Sequence, residues 1–338
     1  MSAPVTTLMA SEVHETIDGD RAARFERSLL TVPGPAPLGI VRKRLAGHRD
    51  MDRVPLLLVH GFGQNRHAWH LSRRSLANHL AHAGHDVFKL DLRGHGRSRR
   101  MGSRPAARVE EYLHEDLPRA LDAIRATSGH ERVVIVGHSM GGLLGYALAG
   151  ELPQRVHAVA ALAAPYDWAR GAPVLEALAH AAALVGRVGF RTTAFPMAAV
   201  RALFDATQPL WDSRLVPLPV RAWRPRSFEP AVLEEFLASA FDGATFGELA
   251  SLTSYRAGRP EHLARAFESR DVPLLVVAGT HDPLALPAAA RAAYDRSASR
   301  DRTFVTFPAG HADLLLGRHA PSQLWPTLTR WLASRTRC

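Results

Sequence analysis

The chain has 338 residues, 46% hydrophobic and 22% charged, the composition of an ordinary soluble globular protein. No run approaches the ~18 apolar residues needed to span a membrane, and the opening segment lacks the basic start and apolar centre of a secretory signal. The net charge of +10 comes from arginines scattered among 32 acids, which reads as a solvated surface and not as a nucleic-acid footprint.

Residues 1–22 read as a polar, poorly ordered arm. Residues 24–31 and 38–45 alternate as strands, and Pro33-Gly34-Pro35 turns between them, so a β-hairpin is expected. Pro55-Leu56-Leu57-Leu58-Val59 is a strand covered on both faces, and it runs into His60-Gly61-Phe62-Gly63. Residues 72–83 read as a helix stopped by Gly84. Residues 86–92 form the next strand and open into the turn Arg93-Gly94-His95-Gly96-Arg97-Ser98. Residues 110–127 carry helix-spaced apolar positions (Leu113, Leu117, Leu121, Ile124), with Pro118 starting the main segment and Gly129 ending it.

Val133-Val134-Ile135-Val136 then runs into Gly137-His138-Ser139-Met140-Gly141, and an apolar helix follows. That is a strand, a turn too tight for ordinary side chains, and a helix, with the serine hydroxyl raised at the turn. Strands at 156–163, 272–279 and 303–307 and a helix at 321–334 continue the pattern. The βαβ spacing predicts a mainly parallel sheet flanked by helices. The rhythm breaks over residues 168–270, which look helical and hold half of the aromatic residues. An insertion of that size between two strands is expected to be a helical cap over the strand ends. The predicted organisation is an arm at 1–22, a core at 23–167 and 271–338, and a cap at 168–270.

A serine is a poor nucleophile until a base takes its proton, and the base is usually a histidine held in one tautomer by a carboxylate. Asp282 stands at the tip of the 272–279 strand and His311 on the turn after the last strand, so both can converge on Ser139. Asp167, at the end of the preceding strand, is the rival acid. A tetrahedral intermediate needs fixed donors, for which the main-chain N–H groups of Phe62 and Met140 are suited. His60, His95 and His138 read as structural hydrogen-bonders. This chemistry needs no cofactor and no metal, and His79, His82 and His85 lack a third ligand of known spacing. Cys338 is the single cysteine, so no internal disulfide forms and a cytoplasmic location is expected.

Together His60-Gly61-Phe62-Gly63, the 91–98 segment, Gly137-His138-Ser139-Met140-Gly141-Gly142, Gly279-Thr280-His281-Asp282 and Gly310-His311 resemble the α/β-hydrolase superfamily. The resemblance covers residues 24–165 and 270–335. It implies Ser139 as nucleophile, Asp282 and His311 as its partners, and Phe62 and Met140 as oxyanion donors. Residues 69–92 and 111–139 are similar to acid lipases, which carry glutamine where Met140 stands. The segment from Gly310 to Leu332 is similar to polyhydroxyalkanoate synthases, which use cysteine where Ser139 stands. The expected activity is serine-dependent cleavage of a carboxylic ester with an apolar acyl or alcohol part. Acyl transfer and thioester or C–C bond hydrolysis use the same residues. A non-catalytic ligand-binding module is the alternative of another class, although all three catalytic positions are filled. The expected partner is a lipophilic small-molecule ester and not nucleic acid; peripheral membrane contact stays open.

Overall fold

The computed structural model describes residues 5–48, 52–167, 193, 202, 206–207, 222–254 and 266–337. A nine-stranded sheet in the order β1-β2-β3-β5-β4-β6-β7-β8-β9 organises them. The strands are β1 Thr6–Asp18, β2 Arg21–Val32, β3 Leu38–Leu45, β4 Leu56–Val59, β5 Val87–Asp91, β6 Val133–His138, β7 Val156–Leu162, β8 Leu274–Gly279 and β9 Arg302–Phe307. The first three pair antiparallel, β3 joins β5 antiparallel, and every pair from β5 to β9 is parallel.

Both faces of the central strands are covered, as their unbroken apolar runs require. Leu57, Val59 and Ile135 enter one buried cluster with the helices Leu117–Ser128 and Met140–Glu151. Leu56, Leu58, Val134 and Val136 enter the other, against the helices Leu76–His82 and Leu324–Ala333. Two helix ends show local sequence at work. Ser75 accepts the N–H of Asn78, and Gly129 closes its helix at φ 79°. The helix expected over 110–127 forms as three segments, Val109–Glu111, a π turn at Tyr112–Asp116, and Leu117–Ser128.

The expected arm at 1–22 is corrected by the structure. Thr6–Asp18 is an edge strand paired along its length with β2, across a two-residue turn with Gly19 at φ 56°. Of its thirteen residues only Ile17 is buried. Main-chain pairing and not side-chain burial holds the strand, so hydrophobic alternation had little to reveal.

The chain leaves the sheet after β7 and returns at the adjacent β8. Of the cap expected between them, most of 168–221 and all of 255–265 lie outside the described residues. The described part includes the helices Pro230–Ser239 and Phe246–Ser254. Trp223, Phe228 and Phe236 pack into the second buried cluster together with core residues.

Candidate active site

Ser139 follows β6 directly and precedes the helix Met140–Glu151. Its backbone stands at φ 53° and ψ −119°, a conformation that costs about 1–3 kcal/mol and persists only where its surroundings impose it. Its N–H donates to Leu162 O at 3.0 Å, and its carbonyl accepts the N–H of Gly142 at 3.0 Å. Close approach does the rest. A Cβ on Gly141 would overlap the main-chain oxygen of Val59, and one on Gly137 would overlap the backbone of Gly141. Helix and strands can therefore pinch the turn only with glycine at both places.

Two further strand tips meet at this edge. His311 Nδ1 lies 2.8 Å from Asp282 Oδ2, with both side chains buried. The other carboxylate oxygen, Asp282 Oδ1, accepts the N–H groups of Leu284 at 2.8 Å and Ala285 at 2.9 Å. A carboxylate only accepts, so His311 Nδ1 donates to it, and Nε2 is the nitrogen left to act as an acceptor in the neutral ring. The turn carrying His311 is held by Asp313, whose Oδ1 accepts the N–H of Gly310 at 2.9 Å. Burial pushes the Asp313 carboxyl up from its ordinary range. Asp167, the rival acid, instead takes Arg296 Nη2 at 2.9 Å.

The loop after β4 is aimed by side chains. His60 Nε2 accepts the N–H of Leu92 at 3.2 Å. Its proton is therefore on Nδ1, which donates to Gly61 O at 2.9 Å. The same oxygen accepts the N–H of Gln64 at 3.2 Å. Gly61 C=O and Phe62 N–H belong to one trans peptide and point in opposite directions. Anchoring that oxygen thus turns the Phe62 N–H away from the anchors. A Cβ on Gly61 would sit 3.1 Å from Ser139 Cβ, so the loop passes beside the serine. Met140 is 2% exposed, and its N–H is among the first of its helix, where amides have no intrahelical acceptor.

His138, next to the serine, stands between the two sides. Its Nδ1 lies 3.1 Å from Gln64 Oε1 and its Nε2 3.2 Å from His311 O. Burial, and then the neighbouring His311, push its pKa well below the ordinary histidine range. Gln64 Oε1 also accepts the Gly61 N–H at 3.1 Å. No sequence motif singled Gln64 out, because His138, the partner that ties it to the serine turn, is distant in the chain. The same holds for Asp242, which accepts the Gly96 N–H at 2.6 Å and Asn65 Nδ2 at 2.8 Å.

Beside this loop His60, His95, Tyr112 and Glu248 are fully buried or nearly so. The His60 and His95 rings are 5.0 Å apart, and Tyr112 OH lies 3.1 Å from His95 Nε2. Burial raises the Glu248 carboxyl to about 8. Among the described residues no group of three or more His, Cys, Asp or Glu side chains could hold a metal ion. His79 instead meets Thr329 Oγ1 at 2.9 Å.

The family model describing the alpha/beta hydrolase fold matches residues 54–317. The chain belongs to the α/β-hydrolase family. A (lyso)-N-acylphosphatidylethanolamine lipase of Homo sapiens is 36% identical over 106 residues, which make up 31% of this chain and 28% of the lipase. The poly(3-hydroxyalkanoate) polymerase subunit PhaC of Haloferax mediterranei is 23% identical over 310 residues, covering 84% of this α/β-hydrolase chain and 59% of the polymerase. The chain thus spans less than two thirds of the length of these curated relatives. In fold it is similar to a soluble variant of monoglyceride lipase from Saccharomyces cerevisiae (TM-score 0.61, 16% identity, 99% of each chain). It is also similar to a thermophilic esterase from Thermogutta terrifontis (TM-score 0.60, 19% identity, 97% of this chain and 100% of that one). At these identities the likeness concerns the fold alone.

Proposed function

We propose that the chain is a serine hydrolase that cleaves a carboxylic ester through an acyl-Ser139 intermediate. The observation that carries this reading is the 2.8 Å hydrogen bond between His311 Nδ1 and Asp282 Oδ2, at the sheet edge where Ser139 stands in its strained turn. His311 Nε2 takes the Ser139 proton as Oγ attacks the ester carbonyl. The N–H groups of Phe62 and Met140 stabilise the resulting oxyanion, each worth ~3 kcal/mol. His311 returns the proton to the leaving alcohol. It then takes a proton from water, which attacks the acyl carbonyl and frees the acid and Ser139.

The relative that acts as a lipase on (lyso)-N-acylphosphatidylethanolamine supports a lipophilic ester as substrate. Acyl transfer to an alcohol is the second reading. It is favoured by the match to the polymerase, which covers 84% of this chain, and it needs only that an alcohol replace water in the second half.

Two measurements test the proposal. A fluorophosphonate should label the chain at Ser139, located by peptide mass spectrometry; no label, or a label elsewhere, refutes it. With p-nitrophenyl esters from acetate to dodecanoate, kcat/KM should rise to at least the six-carbon acyl chain. Each buried methylene gains about 0.8 kcal/mol, so four are worth on the order of a hundredfold. A profile that peaks at acetate and falls steadily makes the substrate a small ester.

A further inference from the structure

The sheet register brings together two surface features that are far apart in sequence. Leu8, 56% exposed, and Met9, 42% exposed, are the large hydrophobic side chains left open among the described residues. They lie in the first half of β1, at the free edge of the sheet. The second feature is the segment 97–108, which contains five arginines and no acid. Of these, Arg99, Arg100, Arg104 and Arg108 are exposed. Asp242 engages Arg99 at 2.9 Å.

One ladder row joins the two. Thr6 opposes Thr31, Thr31 opposes Gly39, and Gly39 opposes Asp91. The arginine segment lies over that row, since Ser98 Oγ accepts the Gly39 N–H at 2.9 Å and Thr31 Oγ1 meets Met101 Sδ at 3.5 Å. Asp91 ends β5, and the parallel strands β5, β4 and β6 run in register, with Leu90 opposite Val59 and Val59 opposite Gly137. The exposed apolar pair and the arginines therefore flank the same edge of the sheet as Ser139.

We propose that this edge docks on an anionic lipid surface, with Leu8 and Met9 entering the headgroup region and Arg100, Arg104 and Arg108 over the lipid phosphates. Apolar side chains that protrude beside cations match both components of such a surface: hydrocarbon beneath, negative charge above. A nucleic acid would use the arginines but would leave the apolar pair in water. The orientation also presents the site edge to the phase that holds lipophilic esters. That consequence rests on the proposed ester hydrolysis; the docking itself does not.

Sedimentation with vesicles of phosphatidylcholine, alone or mixed with phosphatidylglycerol, tests the docking without any turnover. The full chain should bind the mixed vesicles, bind phosphatidylcholine alone weakly, and be released by salt. Each arginine near such a surface contributes about fivefold in partitioning, so the triple variant R100E/R104E/R108E should lose at least about a hundredfold. Leu8→Thr with Met9→Thr keeps β-forming residues and should weaken binding to the mixed vesicles about tenfold or more. Both variants should keep the wild-type rate on a water-soluble short ester, which also reports that they fold. Variants that bind vesicles as the wild type does, or a chain that ignores mixed vesicles while binding duplex DNA, overturn the proposal. Loss of esterase activity in the wild type with vesicle binding intact would refute the catalytic reading alone.

Discussion

His138 Nε2 stands 3.2 Å from the main-chain oxygen of His311, while its Nδ1 stands 3.1 Å from Gln64 Oε1. With its pKa held well down, His138 has one N–H for these two oxygens, so the residue before the strained serine bonds one of them and packs against the other, between the turn that carries His311 and the loop that carries Phe62. Gln64 in turn accepts the Gly61 N–H, one residue before the proposed oxyanion donor. Gln64→Met keeps the length of the side chain and removes that acceptor. In the proposed mechanism kcat should fall about 10- to 100-fold with KM little changed, because a misaimed donor weakens transition-state and not ground-state binding. A Gln64→Met enzyme with wild-type kcat would mean that the loop is aimed by its backbone alone.

Ser139→Ala should abolish fluorophosphonate labelling and lower ester turnover by at least about a thousandfold. The thermal midpoint should move little, since the alanine keeps the same backbone and opens almost no space. Retention of a tenth of the activity would remove Ser139 from the chemistry.

Asp282→Asn should cost about 10⁴ in kcat, since the amide cannot accept the His311 Nδ1 proton in the same way. Asp167→Asn breaks a pair with the half-exposed Arg296 and should leave kcat within a few-fold. Reversal of the two effects would make Asp167 the acid.

Gly141→Ala should lower the thermal midpoint by at least about 5 °C, because the new Cβ meets the backbone of Val59. Gly243→Ala, where a Cβ would meet nothing within 4 Å, is the control. Equal midpoints for the two would show that the turn yields.

Glu248 carries the pH prediction. Its carboxyl is raised from 4.5 to about 8 in the fold, with neutral His95 and Tyr112 facing it. Between those two values the folded state holds a proton that the unfolded state has lost. This contribution to stability is therefore full below about pH 4.5 and falls as pH rises to about 8. Glu248→Gln mimics the protonated form at every pH. Its thermal midpoint relative to wild type should rise from pH 5 to pH 8, read by calorimetry. A constant difference would mean that Glu248 is already ionised at pH 5.

The sequence by itself determined the layered α/β architecture, because fully covered strands must be continuous apolar runs, and the runs of β4, β5, β6, β8 and β9 end in glycine-bearing turns. It determined the strand–turn–helix around Ser139, since only Gly137 and Gly141 allow that approach. It also marked Asp282 and His311 as strand-tip residues, while leaving Asp167 open. Only the tertiary structure gave the two carboxylates their different partners: Asp282 bonds His311 and Asp167 bonds Arg296, and such pairing depends on where neighbouring strands end. The edge strand β1 was illegible for a different reason. It is paired along its length with β2, and its first five side chains are all exposed, so no apolar alternation marks it. Even so, Asp18-Gly19 was a turn signal in the chain, and Gly19 takes the first central position of that turn. Glu248 was legible only as the glutamate that caps its helix with Thr245; its burial beside His95 and Tyr112, and the contacts of Gln64 with His138 and of Asp242 with Gly96 and Asn65, had no local signal, because the fold alone brings those partners within reach.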